Sequence, residues 1–221
     1  MAKSSLLKSS IAKKVAMALS GLFLILFLAQ HFFINSTSVF SPDTFNVISH
    51  FMGNNPVVQF VIQPILIVGV IFHFIMGIVL DFQNKSARPI KYVKNNGAAS
   101  SSWASRNMII TGLVVLAFMF LHFYDFWVPE MVYKYVDVKP LDETRYFGEL
   151  QHKFVDPIRT AIYCVSFVLL SLHLWHGFNS SFQSVGFNNK YSRSLHKLGY
   201  AFAIVVPVGF IFIALFHHFN H

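Results

Sequence analysis

The amino-acid sequence predicts an all-α fold, an integral membrane bundle of five transmembrane helices in one domain spanning residues 1–221. Three observations carry that expectation. Of the residues, 55% are hydrophobic and only 12% are charged, about half the charged share of soluble domains. A water-soluble chain could not hide so much apolar surface. Five apolar runs have the length needed to cross about 30 Å of hydrocarbon. The segments between them differ in charge from one side to the other.

The runs are residues 15–34, 57–80, 108–128, 157–178 and 198–219, each of roughly the 20 or more residues a spanning helix requires. The first follows Lys3, Lys8, Lys13 and Lys14, which resemble the basic start of a secretory signal. Its apolar stretch is too long for such a signal and no small-residue cleavage site follows, so it reads as a retained helix. Pro64 and Pro207 fall inside the second and fifth runs, where neighbouring helices can satisfy the freed carbonyls. Cys164, the single cysteine, lies inside the fourth and reads as a small core hydrophobe. One cysteine excludes a disulfide framework and a thiolate metal site.

Loop charges set the orientation. The N-terminal arm, the second loop (Lys85, Arg88, Lys91, Lys94, Arg106) and the fourth loop (Lys190, Arg193, Lys197) hold twelve of the seventeen basic residues but, with Asp81, one of nine acids. Residues 35–56 hold no Lys or Arg, and residues 129–156 hold more acids than bases. The positive-inside rule therefore predicts a cytoplasmic N-terminus and a C-terminus outside. The net charge of +8 is a topology signal rather than a nucleic-acid stripe. Residues 95–102 read as a flexible linker before the third helix.

Histidine supplies the chemistry. Of eleven histidines, His31, His73, His122, His173, His176, His217 and His218 fall within or at the ends of the runs. Ionisable side chains at that depth are costly and point to function. A rise of 1.5 Å per residue from each midpoint puts His31 about 10 Å and His122 about 6 Å toward the outside. The same arithmetic puts His73 about 7 Å and His173 about 8 Å toward the cytoplasm. Four helices thus give two pairs roughly 15 Å apart, His31 with His122 and His73 with His173. Facing neutral imidazoles suit a six-coordinate haem iron, which favours electron transfer over chemistry at the metal. Zinc wants three or four ligands in one shell, which pairs at separate depths do not offer.

Glycines follow the same pattern. His73 precedes Gly77 and His173 precedes Gly177 by four residues; Gly21 precedes His31 and Gly112 precedes His122 by ten. Ten residues are about 15 Å, so Gly21 and Gly112 are expected at the inner level, leaving room for a flat macrocycle. Small-residue helix packing is the plainer alternative. His176, one turn after His173, is the rival inner ligand, but only His173 reproduces the His-x-x-x-Gly spacing of helix 2. His217 and His218 read as interfacial residues.

With Ser20-Gly21-Leu22-Phe23, Gln30-His31-Phe32-Phe33, Phe72-His73, Leu121-His122 and His173-x-x-x-Gly177 in that order, the chain resembles the di-haem cytochrome b membrane anchor of succinate dehydrogenases and fumarate reductases, in its single five-helix form. The resemblance covers almost the whole chain. It implies two haem b groups, the inner one on His73 and His173 and the outer one on His31 and His122, and a quinone, with menaquinone expected. It implies a flavoprotein subunit and an iron–sulfur subunit on the cytoplasmic side of a bacterial-type inner membrane, with dimers of complexes allowed. Some fumarate reductases of this type carry a glutamate two residues before the inner ligand of helix 4; here Ser171 stands there, which argues against that proton route.

Arg106, Lys190, Arg193, His196 and Lys197 are candidate partners for haem propionates, with solvated positive-inside charge as the alternative. For the quinone, which needs a hydrogen-bond donor and a proton source near the surface, His50 in the first outer loop is the candidate, with Asp125 and Glu130 as others. Two other readings compete. One is a cytochrome b subunit of a hydrogenase or formate dehydrogenase. The other is a haem-free transporter whose histidines shuttle protons.

Overall fold

The computed structural model describes residues 9–86, 106–187 and 189–221. Lys3, Lys8, Arg88, Lys91, Lys94 and the linker at residues 95–102 lie outside the described residues. Five helices are long and apolar enough to span a membrane: α1 (Ser10–Phe40), α3 (Val58–Ser86), α4 (Met108–Val136), α6 (Pro157–Ser184) and α7 (Ser192–Phe219). Two short helices join them on the side away from the N-terminus, α2 (Pro42–Asn54) and α5 (Arg145–Val155). No strand occurs among the described residues.

Each spanning helix outruns its apolar run. Hydropathy marks only the part that needs hydrocarbon, whereas backbone hydrogen bonding carries the helix on through polar turns. The extension of α1 from residue 34 to Phe40 matters most, because it covers the far end of α7.

Proline shapes two of the spans. The first turn of α3, Val58–Ile62, has the wider π-type hydrogen bonding, and Pro64 follows it. In α4 the segment Phe123–Trp127 is also a π-turn, and Pro129 follows that. A proline ring presses on the carbonyl four residues back and offers no N–H to it. Those carbonyls belong to Phe60 and Asp125, and each lies inside a π-turn, where the wider winding relieves the contact.

The short helices are held by side-chain caps. Ser41 accepts from the Thr44 N–H at 3.2 Å, with Pro42 in the first turn of α2. Thr144 gives α5 no side-chain cap, and the Asn46 side chain of α2 accepts from the Phe147 N–H at 2.7 Å instead. Asp156 caps α6 through the Ile158 N–H at 2.9 Å. The buried core sits at this far side, where Phe45 of α2 and Leu150 and Phe154 of α5 close over Tyr163, Phe167, Phe210 and Ile213. Helix α3 buries only Val58, in its first turn, and most of its apolar side chains face outward, as lipid requires.

Candidate functional site

Four helices bring four histidines together in two facing pairs. The rings of His31 (α1) and His122 (α4) have centroids 5.7 Å apart, and those of His73 (α3) and His173 (α6) have centroids 6.5 Å apart. A metal–imidazole bond of about 2 Å on each side, plus roughly 1 Å from nitrogen to ring centre, sets bridged rings about 6 Å apart. Both pairs fit a bis-imidazole metal group on that measure. Among the described residues no group of three or more His, Cys, Asp or Glu is arranged to hold a metal ion. Each pair offers two nitrogens, which suits a group whose other four ligands it brings with it.

The inner pair is seated against glycine. A Cβ added at Gly21 would lie 3.3 Å from His73 Cε1, and one added at Gly112 would lie 3.4 Å from His173 Cε1. Gly21 and Gly112 therefore stand at the inner level, and the space beside them holds the imidazole rings themselves. Gly77 and Gly177 face Met17 and Met108, the methyl carbons 3.6 and 3.1 Å from the added Cβ. Each inner ring also meets a hydroxyl from the neighbouring helix, Ser20 at 3.0 Å from His73 Nδ1 and Thr111 at 3.3 Å from His173 Nδ1. It is His173, and not His176, whose ring faces His73.

The outer pair lies in an aromatic cage. Phe27 stacks on His31 at 5.5 Å and Phe118 lies tilted against His122 at 5.8 Å, with Phe126 and Tyr163 also against His122. The Asn35 amide approaches His31 Nε2 at 3.4 Å, and His122 Nδ1 is buried without a hydrogen-bond partner in the structure. A cavity of about 270 Å³ opens beside both rings; its polar lining is Gln30, Asn35, Ser49, Glu130, Tyr146 and Glu149.

The lip of that cavity is a charge cluster. Glu130 pairs with Lys134 at 2.5 Å and with Arg145. Lys134 Nζ donates to the Gly53 carbonyl at 2.5 Å, and Arg145 also pairs with Glu149 at 2.8 Å. Burial opposes the Arg145 charge, but its hydrogen bonds to Glu130 and Glu149 outweigh that and push its pKa above the ordinary value. Burial, then the Glu130 charge, raises the pKa of the Tyr146 phenol, so it stays a donor at neutral pH.

The three quinone candidates part company. Glu130 lines the cavity. His50 is outside the lining, bonded to Asn54 at 3.2 Å, 3.7 Å from Glu143 and against the Tyr146 ring. Asp125 is 1% exposed and sits under the core, accepting from Tyr163 at 2.8 Å and facing Arg159 at 3.5 Å. Of the propionate candidates, Arg106, Lys190, Arg193 and Lys197 are exposed and His196 is half-buried.

His217 corrects an expectation. Read from sequence as an interfacial residue, it is enclosed by protein, 0% exposed, with Nε2 2.9 Å from Ser38 of the α1 extension, while His218 Nδ1 lies 2.7 Å from the Phe154 carbonyl. Gln30 entered the sequence reading only as the neighbour of His31 in a motif, and Tyr146 not at all; the signal for Tyr146 was its place among the acidic and basic residues of the third loop.

A scan against protein-family models and searches of curated proteins and solved structures find no match to this chain.

Proposed function

We propose that this chain is the membrane-anchor cytochrome b of a succinate:quinone oxidoreductase or quinol:fumarate reductase, linking an iron–sulfur partner to membrane quinone. The observation that carries the reading is the sorting of His31, His122, His73 and His173, one from each of four helices, into two facing pairs. When bound there, haem supplies a reversible one-electron carrier. The chain's own residues orient the imidazoles, exclude water from them and, at the far side, bind quinone.

On this reading the basic N-terminal side is cytoplasmic, in a bacterial-type inner membrane, and the His73–His173 pair lies nearest the flavoprotein and iron–sulfur subunits. The cavity beside His31 and His122 takes the quinone head, with Tyr146 as hydrogen-bond donor and Glu130 as proton acceptor. His50 then acts from behind Tyr146, orienting it rather than touching quinone.

The test is a reduced-minus-oxidised spectrum of the assembled protein. A b-type band with about two haems per chain is expected, and succinate should reduce it when flavin and iron–sulfur proteins co-purify. Absence of that band from assembled material rejects the reading. A haem-containing chain that co-purifies with a hydrogenase or formate dehydrogenase instead keeps the haem sites and rejects the partner. Glu130→Gln should slow quinone turnover about tenfold or more while leaving haem content unchanged, as expected for loss of a positioned proton acceptor.

A further inference from the structure

The two halves of the inner pair are held in the same way. Helix α1 reads Met17-x-x-Ser20-Gly21-Leu22 and α4 reads Met108-x-x-Thr111-Gly112-Leu113, each ending in its outer histidine at the same spacing. The glycine lets the inner imidazole of the next spanning helix bring its Cε1 edge against the backbone. The hydroxyl one residue earlier meets that ring at Nδ1.

The second contact of each hydroxyl gives that hydrogen bond its direction. Ser20 Oγ donates to the Met17 carbonyl at 2.8 Å, and Thr111 Oγ1 donates to the Met108 carbonyl at 3.0 Å. An alcohol has one hydrogen, so toward the imidazole each oxygen can only accept. In that arrangement His73 and His173 carry their proton on Nδ1 and keep the Nε2 lone pair for a ligand bond. Nothing equivalent holds the outer pair. Asn35 brings an N–H toward His31 Nε2, and His122 Nδ1 is buried with no hydrogen-bond partner in the structure.

We propose that Ser20 and Thr111 are a matched pair of positioning residues that fix the Nδ1–H tautomer of His73 and His173 and, through the electron density this leaves on Nε2, lower the reduction potential of the inner haem alone. The inference rests on the reading of these histidines as haem ligands. A ligand imidazole that donates from its far nitrogen becomes more basic and favours the oxidised metal.

The experiment is a potentiometric titration of both haems in the assembled complex, with the inner haem identified as the one lost in His73→Ala. Ser20→Ala and Thr111→Val should each keep two haems and shift the inner couple toward reduction by about tenfold, or about 59 mV for one electron, with the outer couple unmoved. Ser20→Thr and Thr111→Ser, which keep the hydroxyl, should restore the parent value. Should the alanine or valine variant lose the inner haem outright, restoration by the hydroxyl variant supports the proposal and failure to restore overturns it. Unmoved couples at full haem content, or a shift confined to the outer haem, also overturn it. A parent complex without b-type haem would instead reject the reading on which the proposal rests.

Discussion

If the two histidine pairs hold haem as proposed, replacing His73 or His173 by alanine removes one and the same haem, and replacing His31 or His122 removes the other. The expectation follows from the pairing of rings across helices, 6.5 Å apart in the inner pair and 5.7 Å in the outer. Each proposed iron would have only these two imidazoles as protein ligands, so either deletion would halve its support and open the site to water. Haem content should fall from about two to about one per chain in each single variant. The remaining haem should keep its own spectrum, because the pairs stand at different levels, with Gly21 and Gly112, ten residues before His31 and His122, beside the inner rings. His176→Ala should retain both haems, since its ring does not face His73. The pairing would be wrong if His73→Ala and His31→Ala removed the same haem, or if His176→Ala removed the inner one while His173→Ala spared it.

Much of this was legible because a bilayer imposes simple rules. Apolar length located five spans, and histidine depth anticipated which rings would pair, since a straight helix converts residue number directly into height. Height is all that this conversion yields. It placed Gly21 and Gly112 at the inner level but could not say that the edges of the His73 and His173 rings come against them. Nor could it see Ser20 and Thr111, whose role depends on which way a neighbouring ring turns.

The far side was less legible, because α2 and α5 are short and polar and leave no trace in a search for apolar runs. Their signals were local: Ser41-Pro42-Asp43 opens one helix, while the other takes its cap from Asn46, distant in sequence. His217 was misread for a related reason. An α1 ending at residue 34 leaves the tip of α7 in the interface, whereas one reaching Phe40 brings Ser38 onto His217 and buries it. Pro129 was the visible cue to the π-turn that carries Asp125, and only the fold shows what that turn does with the carboxylate.

Removing the Tyr163 hydroxyl should destabilise the protein more than neutralising the carboxylate it serves. Asp125 has a fully buried side chain and two partners, the Tyr163 hydroxyl at 2.8 Å and Arg159 at 3.5 Å. The Arg159 side chain is 30% exposed, so water screens its share. In Tyr163→Phe the charge stays buried and loses its one short hydrogen bond, at a cost of about 2–3 kcal/mol. Asp125→Asn keeps an acceptor for Tyr163 and removes the buried charge, so about 1 kcal/mol is expected. Arg159→Ala should cost at most about 1 kcal/mol. Combining Tyr163→Phe with Asp125→Leu removes both polar partners together, and the loss should be smaller than the sum of the single losses. Thermal unfolding of the detergent-solubilised protein reads the order, with the Tyr163→Phe midpoint lower by roughly 5–10 °C. A Tyr163→Phe protein as stable as its parent would mean that Arg159 or water already satisfies Asp125, and that the α4–α6 clamp beside His122 is held by packing alone.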